Sequence, residues 1–223
     1  MTFSIIARCP ASGQFGAAIA SSSPAVASRC IRGRKGVGAA ASQNITDPDL
    51  GPLALDLVAA GRTPEEAVQQ LRQRPFIDYR QLMLIDARNA PVVFTGAQAL
   101  GTLASMVGTH AACAGNMLAS PGVPRAMLAA FEAAEGALAE RLMSALLAGQ
   151  AAGGEEGPVH SAGLQVYGEE NWPIVDLRLD WVEHDPVAAL QAVWKVYEPQ
   201  CQAYITRARD PRAAPSFGVP GDL

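Results

Sequence analysis

The chain has 223 residues, of which 49% are apolar and 17% charged, and a net charge of −4. That balance excludes a disordered chain and a protein that tracks a phosphate backbone, and it leaves ample apolar surface for one large domain. No run reaches membrane-span length and the opening residues lack a secretory apolar stretch, so the expectation is a cytoplasmic protein with neither membrane nor nucleic acid as partner.

Elements follow in chain order. Thr2 to Ala7 and Gln14 to Ala20 are short apolar runs joined by Pro10-Ala11-Ser12-Gly13, a turn composition, and they predict a hairpin. Val37 to Ser42, Ala-rich and small, predicts a third strand. Pro52 to Ala60 reads as a helix closed by Gly61. Thr63-Pro64-Glu65-Glu66 opens the next helix with an N-cap, a proline at the first helical position and a glutamate placed to complete a capping box. Arg80 to Ile85 and Pro91 to Thr95 predict a second hairpin.

Leu103 to Ala114 carries no clear period. Val123, Met127 and Phe131 then recur at helical spacing up to Gly136, and Leu138, Leu142 and Leu146 repeat the pattern. Ala162, Leu164 and Val166 mark one strand and Val175, Leu177, Leu179 and Trp181 another, each alternating with residues of the opposite face. Asp185-Pro186 caps a last helix bearing Val187, Leu190, Trp194 and Tyr197, which Pro199 is expected to interrupt. The expected organisation is one domain over 1–206 and an extended or poorly ordered tail over 207–223. Strand runs separated by paired helices favour antiparallel sheets covered by helical layers, an α+β arrangement.

Four cysteines, Cys9, Cys30, Cys113 and Cys201, are widely scattered and read as free thiols, and the histidines are isolated. Neither a metal nor a cofactor is expected. The chemistry sits instead at the start. Were Met1 removed, Thr2 would carry a hydroxyl nucleophile and a free α-amine of ordinary pKa near ~8 on one backbone unit, so one residue would supply nucleophile and base. With Met1 attached that amine does not exist. Ser4, two residues on and on the same side of the strand, has its nitrogen tied in a peptide bond.

Several segments together carry a family likeness: Met1-Thr2-Phe3-Ser4-Ile5-Ile6-Ala7-Arg8, Gly16 to Ser21, Gly36-Val37-Gly38-Ala39-Ala40-Ala41-Ser42-Gln43, Gly51 to Leu57, Thr95-Gly96, Cys113 to Ala119, and Gly153-Gly154 followed by Ser161-Ala162. On these the chain resembles the DUF1028 family, within the N-terminal nucleophile (Ntn) hydrolases that include proteasome β subunits. The resemblance implies a four-layer αββα sandwich and hydrolysis of a C–N bond, in a small-molecule amide or a peptide, by Thr2. It places Arg34 or Lys35 at the basic position near the third strand, and Glu155 and Ser161 beside the terminal amine. Where proteasome-like relatives carry an Asp at the end of the second strand, this chain has Ser21-Ser22-Ser23. Gly115-Asn116 reads as a turn between a strand and the third helix or, as the alternative, offers an oxyanion donor. The alternative expectation is a catalytically silent domain that binds a ligand or partner. Ala-rich helices at Pro52 to Ala60 and Val123 to Ala134 predict a homodimer or larger homo-oligomer.

Overall fold

Side-chain alternation in the first strand decides the layering. In the computed structural model, which describes residues 1–216, β1 (Thr2–Cys9) sends Phe3, Ile5 and Ala7 to one face and Thr2, Ser4 and Ile6 to the other. It pairs antiparallel with β2 (Gln14–Ser21) on one side and β8 (Ala111–Asn116) on the other. β9 (Ser161–Tyr167), β10 (Pro173–Leu179) and β7 (Ala104–Val107) complete a six-stranded sheet in the order β10-β9-β2-β1-β8-β7. The second sheet has the order β3-β4-β5-β6, from β3 (Ile31–Arg34), β4 (Gly38–Asn44), β5 (Arg80–Asp86) and β6 (Val92–Thr95). All pairings are antiparallel.

Three apolar cores define four layers. Phe3, Ile5 and Leu164 pack under α4 (Val123–Ala133), α5 (Leu138–Ala151) and α6 (Pro186–Arg209). Ile6, Ala17, Ile19, Ala39, Ala41, Met83 and Ile85 fill the space between the sheets together with α1 (Val26–Cys30). Leu82, Leu84 and Ala40 meet α2 (Leu50–Ala59) and α3 (Pro64–Leu71) on the far side. The small alanines of the middle core let the two sheets approach closely, which suits an αββα sandwich. No helix among the described residues is long and apolar enough to cross a membrane.

The capping box at Thr63 forms as the spacing demands: the Thr63 hydroxyl accepts from the Glu66 amide, and the Glu66 carboxylate accepts from the Thr63 amide. Elsewhere the structure corrects the sequence expectation. The stretch between Ser21 and Arg34 holds α1 and β3, neither of which shows a period. The unclear stretch is the hairpin of β7 and β8. Pro199 does not interrupt α6. Lys195, whose carbonyl loses its helical partner, is exposed there and so is Pro199, so water can satisfy the freed group. Tyr197 and Cys201, on either side of the proline, both donate to the Ile174 carbonyl and pin the helix to β10. The expected tail begins within the last turn of α6 and continues as a single 3-10 turn at Pro211–Ala213; its end, 217–223, lies outside the described residues.

Candidate active site

Because β1 lies between β2 and β8, its first residue is flanked on both sides. Thr2 stands directly across from Asn116, and its neighbour on the other side is Ser21, which in turn pairs with Ser161. Thr2, Ser21 and Asn116 all belong to the inward-facing parity, at one end of the sandwich. Thr2 Oγ1 is 3.3 Å from Ser21 Oγ. Both hydroxyls donate to the Met1 carbonyl oxygen, and Ser21 Oγ accepts from the Ser23 amide at 3.1 Å. Thr2 is only 5% exposed, with Met1 laid over it.

Glu155 sits in the loop between α5 and β9, held by an antiparallel bridge to Leu118 just beyond β8. It is buried, and neither carboxylate oxygen has a hydrogen-bond partner among the described residues. Burial pushes its pKa up to about 7, against the opposing influence of Ser22, the Met1 amine and His160. The Met1 α-amine is pushed down by burial, with Glu155 the main influence pulling it up. A half-buried amine and a buried carboxyl therefore share one end of the sandwich, each biased toward its neutral form. A neutral amine is a proton acceptor, the state a general base needs.

Beneath Thr2 the inter-sheet space carries a polar ladder. Ser4 Oγ donates to Gln43 Oε1 at 2.6 Å, Gln43 Nε2 donates to Gln81 Oε1 at 2.7 Å, and Gln81 Nε2 donates to Thr95 Oγ1 and to the Gly115 carbonyl. Asn116 Nδ2 joins at 3.3 Å from Gln81 Oε1, while Asn116 Oδ1 is buried without a partner among the described residues. Sequence reasoning missed Gln43 and Gln81 as members of this group. The usable signal was a glutamine at an inward position of an otherwise apolar strand, which demands a partner across the sheets.

The expected residues thus divide. Thr2, Asn116, Ser161 and Glu155 gather at one end. Asn116 turns its amide inward to Gln81. The Ser161 hydroxyl donates to the Ser23 carbonyl at 2.6 Å and accepts from the Val26 amide at 3.3 Å, so it clamps the turn into α1. Arg34 and Lys35 lie elsewhere. Arg34 pairs with Gly38, which pairs with Asp86 at the opposite end of the second sheet, and its guanidinium meets Asp56 at the surface at 2.8 Å. The expected convergence of a basic residue from this turn on Thr2 is corrected by register: Gln43 and Gln81, not Arg34 and Lys35, lie at the Thr2 end.

Backbone strain marks the same end. Among the described residues five non-glycine positions have positive φ: Ala25, Asn44, Phe76, Met117 and Asp185. Ala25 follows the Ser21-Ser22-Ser23 run, Asn44 follows Gln43, and Met117 follows Asn116. Asp185 accepts from Gln150 of α5 at 2.7 Å, five residues before Glu155. Such conformations concentrate where function over-determines the backbone. Among the described residues no group of three or more His, Cys, Asp or Glu side chains is placed to hold a metal ion.

A model of the family described as DUF1028, a family of unknown function, matches residues 2–190. The crystal structure of a DUF1028 protein from Silicibacter pomeroyi is 31% identical, with a TM-score of 0.82 over 88% of this chain and 88% of that one. Anbu, an ancestral β-subunit from Yersinia bercovieri, aligns at 13% identity and a TM-score of 0.41 over 91% of this chain and 97% of that one. The Thiobacillus denitrificans protein BPH in complex with epoxomicin aligns at 15% identity and 0.40, over 76% and 100%. No curated protein matches the chain.

Proposed function

The chain belongs to the DUF1028 family, and from that premise we propose that it is an Ntn-type hydrolase that cleaves a C–N bond, with Thr2 as nucleophile once Met1 is removed. The observation that carries this reading is the Thr2 hydroxyl in contact with Ser21 at the chain start, in the same buried end where burial holds the terminal amine below its usual pKa. Trimming moves the free amine from Met1 to Thr2 itself. The Thr2 oxygen then attacks the substrate carbonyl carbon as its proton passes to the α-amine, directly or through Ser21. Collapse of the tetrahedral intermediate breaks the C–N bond, and the α-ammonium returns the proton to the departing amine. Water adds to the resulting ester of Thr2, releasing the acid and restoring the hydroxyl.

One feature supports a second reading. Met1 covers Thr2 and occupies both hydroxyls through its carbonyl, so a chain that keeps Met1 has no open nucleophile and would act as a binding domain. The intact mass of the protein from its host separates the two. Loss of one methionine, with turnover of amide substrates that Thr2→Ala abolishes, supports the hydrolase; full retention of Met1, with no labelling by probes that acylate N-terminal threonine, supports the binding domain.

A further inference from the structure

Met1 shows what the site holds. Its carbonyl oxygen accepts from the hydroxyls of Thr2 and Ser21, its α-amine lies within the electrostatic reach of Glu155, and its side chain lies against Gly157. A Cβ built on Gly157 would come 3.0 Å from Met1 Cε and 3.5 Å from its Sδ, so the absence of a side chain there makes the room that the thioether fills. Met1 is an α-aminoacyl group attached to Thr2 through nitrogen. The same acyl group attached through Thr2 Oγ1 differs only by a shift across a five-membered ring, so the ester intermediate of the hydrolysis would occupy neighbouring space. Removal of Met1 vacates that space.

A second, independent observation points to an ammonium beside that space. Glu155 and Gly157 also line a cleft of ≈ 340 Å³ between the loop after α5 and the start of α6, with Gln150, Glu183, His184 and Asp185 among its other walls. Neither lysine nor arginine lines it. Both Glu155 oxygens and Gln150 Oε1 are buried without a hydrogen-bond partner among the described residues, whereas Gln150 Nε2 is used, donating to Asp185. The buried side-chain atoms left without a partner in this lining are all oxygens, and Glu155, Glu183 and Asp185 bring three carboxyl groups there beside one imidazole, that of His184. A carboxylate or phosphate ligand would meet repulsion; a primary ammonium brings three donors and a compensating charge.

We propose that the acyl half of the substrate is an α-aminoacyl unit with a free ammonium and an apolar, unbranched side chain, the ammonium received at Glu155 and Gln150 and the side chain at Gly157. This deepens the hydrolase reading and rests on it. The leaving amine is left open by these residues.

The test uses the full chain with Thr2 as its first residue. Turnover of L-methionine anilide is compared with that of its N-acetyl derivative and of the anilide of 4-(methylthio)butanoic acid, which lacks the amine. The expected result is a kcat/KM higher by about tenfold or more for the free-amine compound, the size of a charge-assisted contact, and loss of that preference in Glu155→Gln. Equal turnover of the three overturns the proposal and leaves the hydrolase reading standing. Binding is read separately by calorimetry with L-methioninol, which has the ammonium and no amide, against 4-(methylthio)butanol. Selective binding of methioninol, weakened in Glu155→Gln, supports the subsite even if no anilide is cleaved, in which case it is the hydrolase reading that fails. Methioninol binding no better than the uncharged alcohol overturns the subsite. Gly157→Val gives a variant that leaves the buried carboxyl untouched: it is expected to exclude methioninol while still admitting glycinol, and unchanged methioninol binding would remove Gly157 from the proposal.

Discussion

A carboxyl held near neutrality makes stability itself depend on pH. Glu155 has a folded pKa of about 7 against an ordinary 4.5, so the folded state binds its proton more tightly than the unfolded chain does. Its contribution is therefore most favourable below pH 4.5 and is lost as pH rises through 7, by at most about 3 kcal/mol. The Met1 amine, pushed down by burial, works in the opposite direction below its ordinary value. Comparing wild type with Glu155→Gln at each pH isolates the carboxyl: the variant is expected to gain in relative Tm between pH 5 and pH 8, and a constant difference across that range would contradict the assignment. Ser161 presents the contrasting case of a polar residue at the same end whose bonds are all structural. Ser161→Ala leaves the Val26 amide and the Ser23 carbonyl without their hydroxyl partner, a cost of about 1–3 kcal/mol in urea unfolding. Its effect on kcat is expected to be small beside that of Thr2→Ala, and equal losses would move Ser161 into the machinery.

At the scale of elements, β1 does two jobs that an N-terminal extension can separate. Phe3 and Ile5 are fully buried under α4 and α5, and their burial, about 1.5–3 kcal/mol each, does not depend on what precedes Thr2. One residue added before Thr2 is therefore expected to leave the Tm unchanged and abolish turnover, whereas Thr63→Ala, which removes the cap of α3 far from Thr2, should cost about 1 kcal/mol and leave turnover intact. A tagged chain as active as the trimmed one would eliminate the terminal amine as base. The same elements show what the sequence made legible. Both hairpins, the capping box and the helices after Val123 were readable because turn residues and apolar periods agree there. α1 and β3 were not, since nine residues split between two short elements leave no period to count. Missing β3 misplaced Arg34 and Lys35, because the strand's direction decides which end of the sandwich the following turn occupies. Thr2 and Asn116 were readable as residues; that Asn116 answers to Gln81 across the sheets was not, because such a pairing is a property of two packed sheets and of no local segment.

For the molecule as a whole, the sandwich leaves some of its apolar surface without cover, and the location of that surface refines the expectation of self-association. α4 buries Val123, Met127, Leu128 and Phe131 and turns alanines, Arg125 and Glu132 outward, so it offers little to a partner. α2 keeps Leu53, Leu57 and Val58 half-buried. Large side chains are left open on α6, where Val193 is 39% and Val196 66% exposed, with Trp172 and Trp181 exposed in the segments that flank β10; Ile45, Phe76, Tyr79, Leu100 and Val107 are also exposed, outside these elements. Apolar surface of that kind on a folded protein marks a contact site. Sedimentation at micromolar concentration is expected to give at least a dimer, and Val196→Glu, which sets a charge in the middle of the exposed side of α6, is expected to shift it to monomer without lowering Tm. Arg125→Glu on α4 should leave the mass unchanged. A wild-type monomer would remove self-association altogether; a dimer indifferent to Val196→Glu would move the interface off α6, with the half-buried side of α2 the next surface to test by Leu57→Glu.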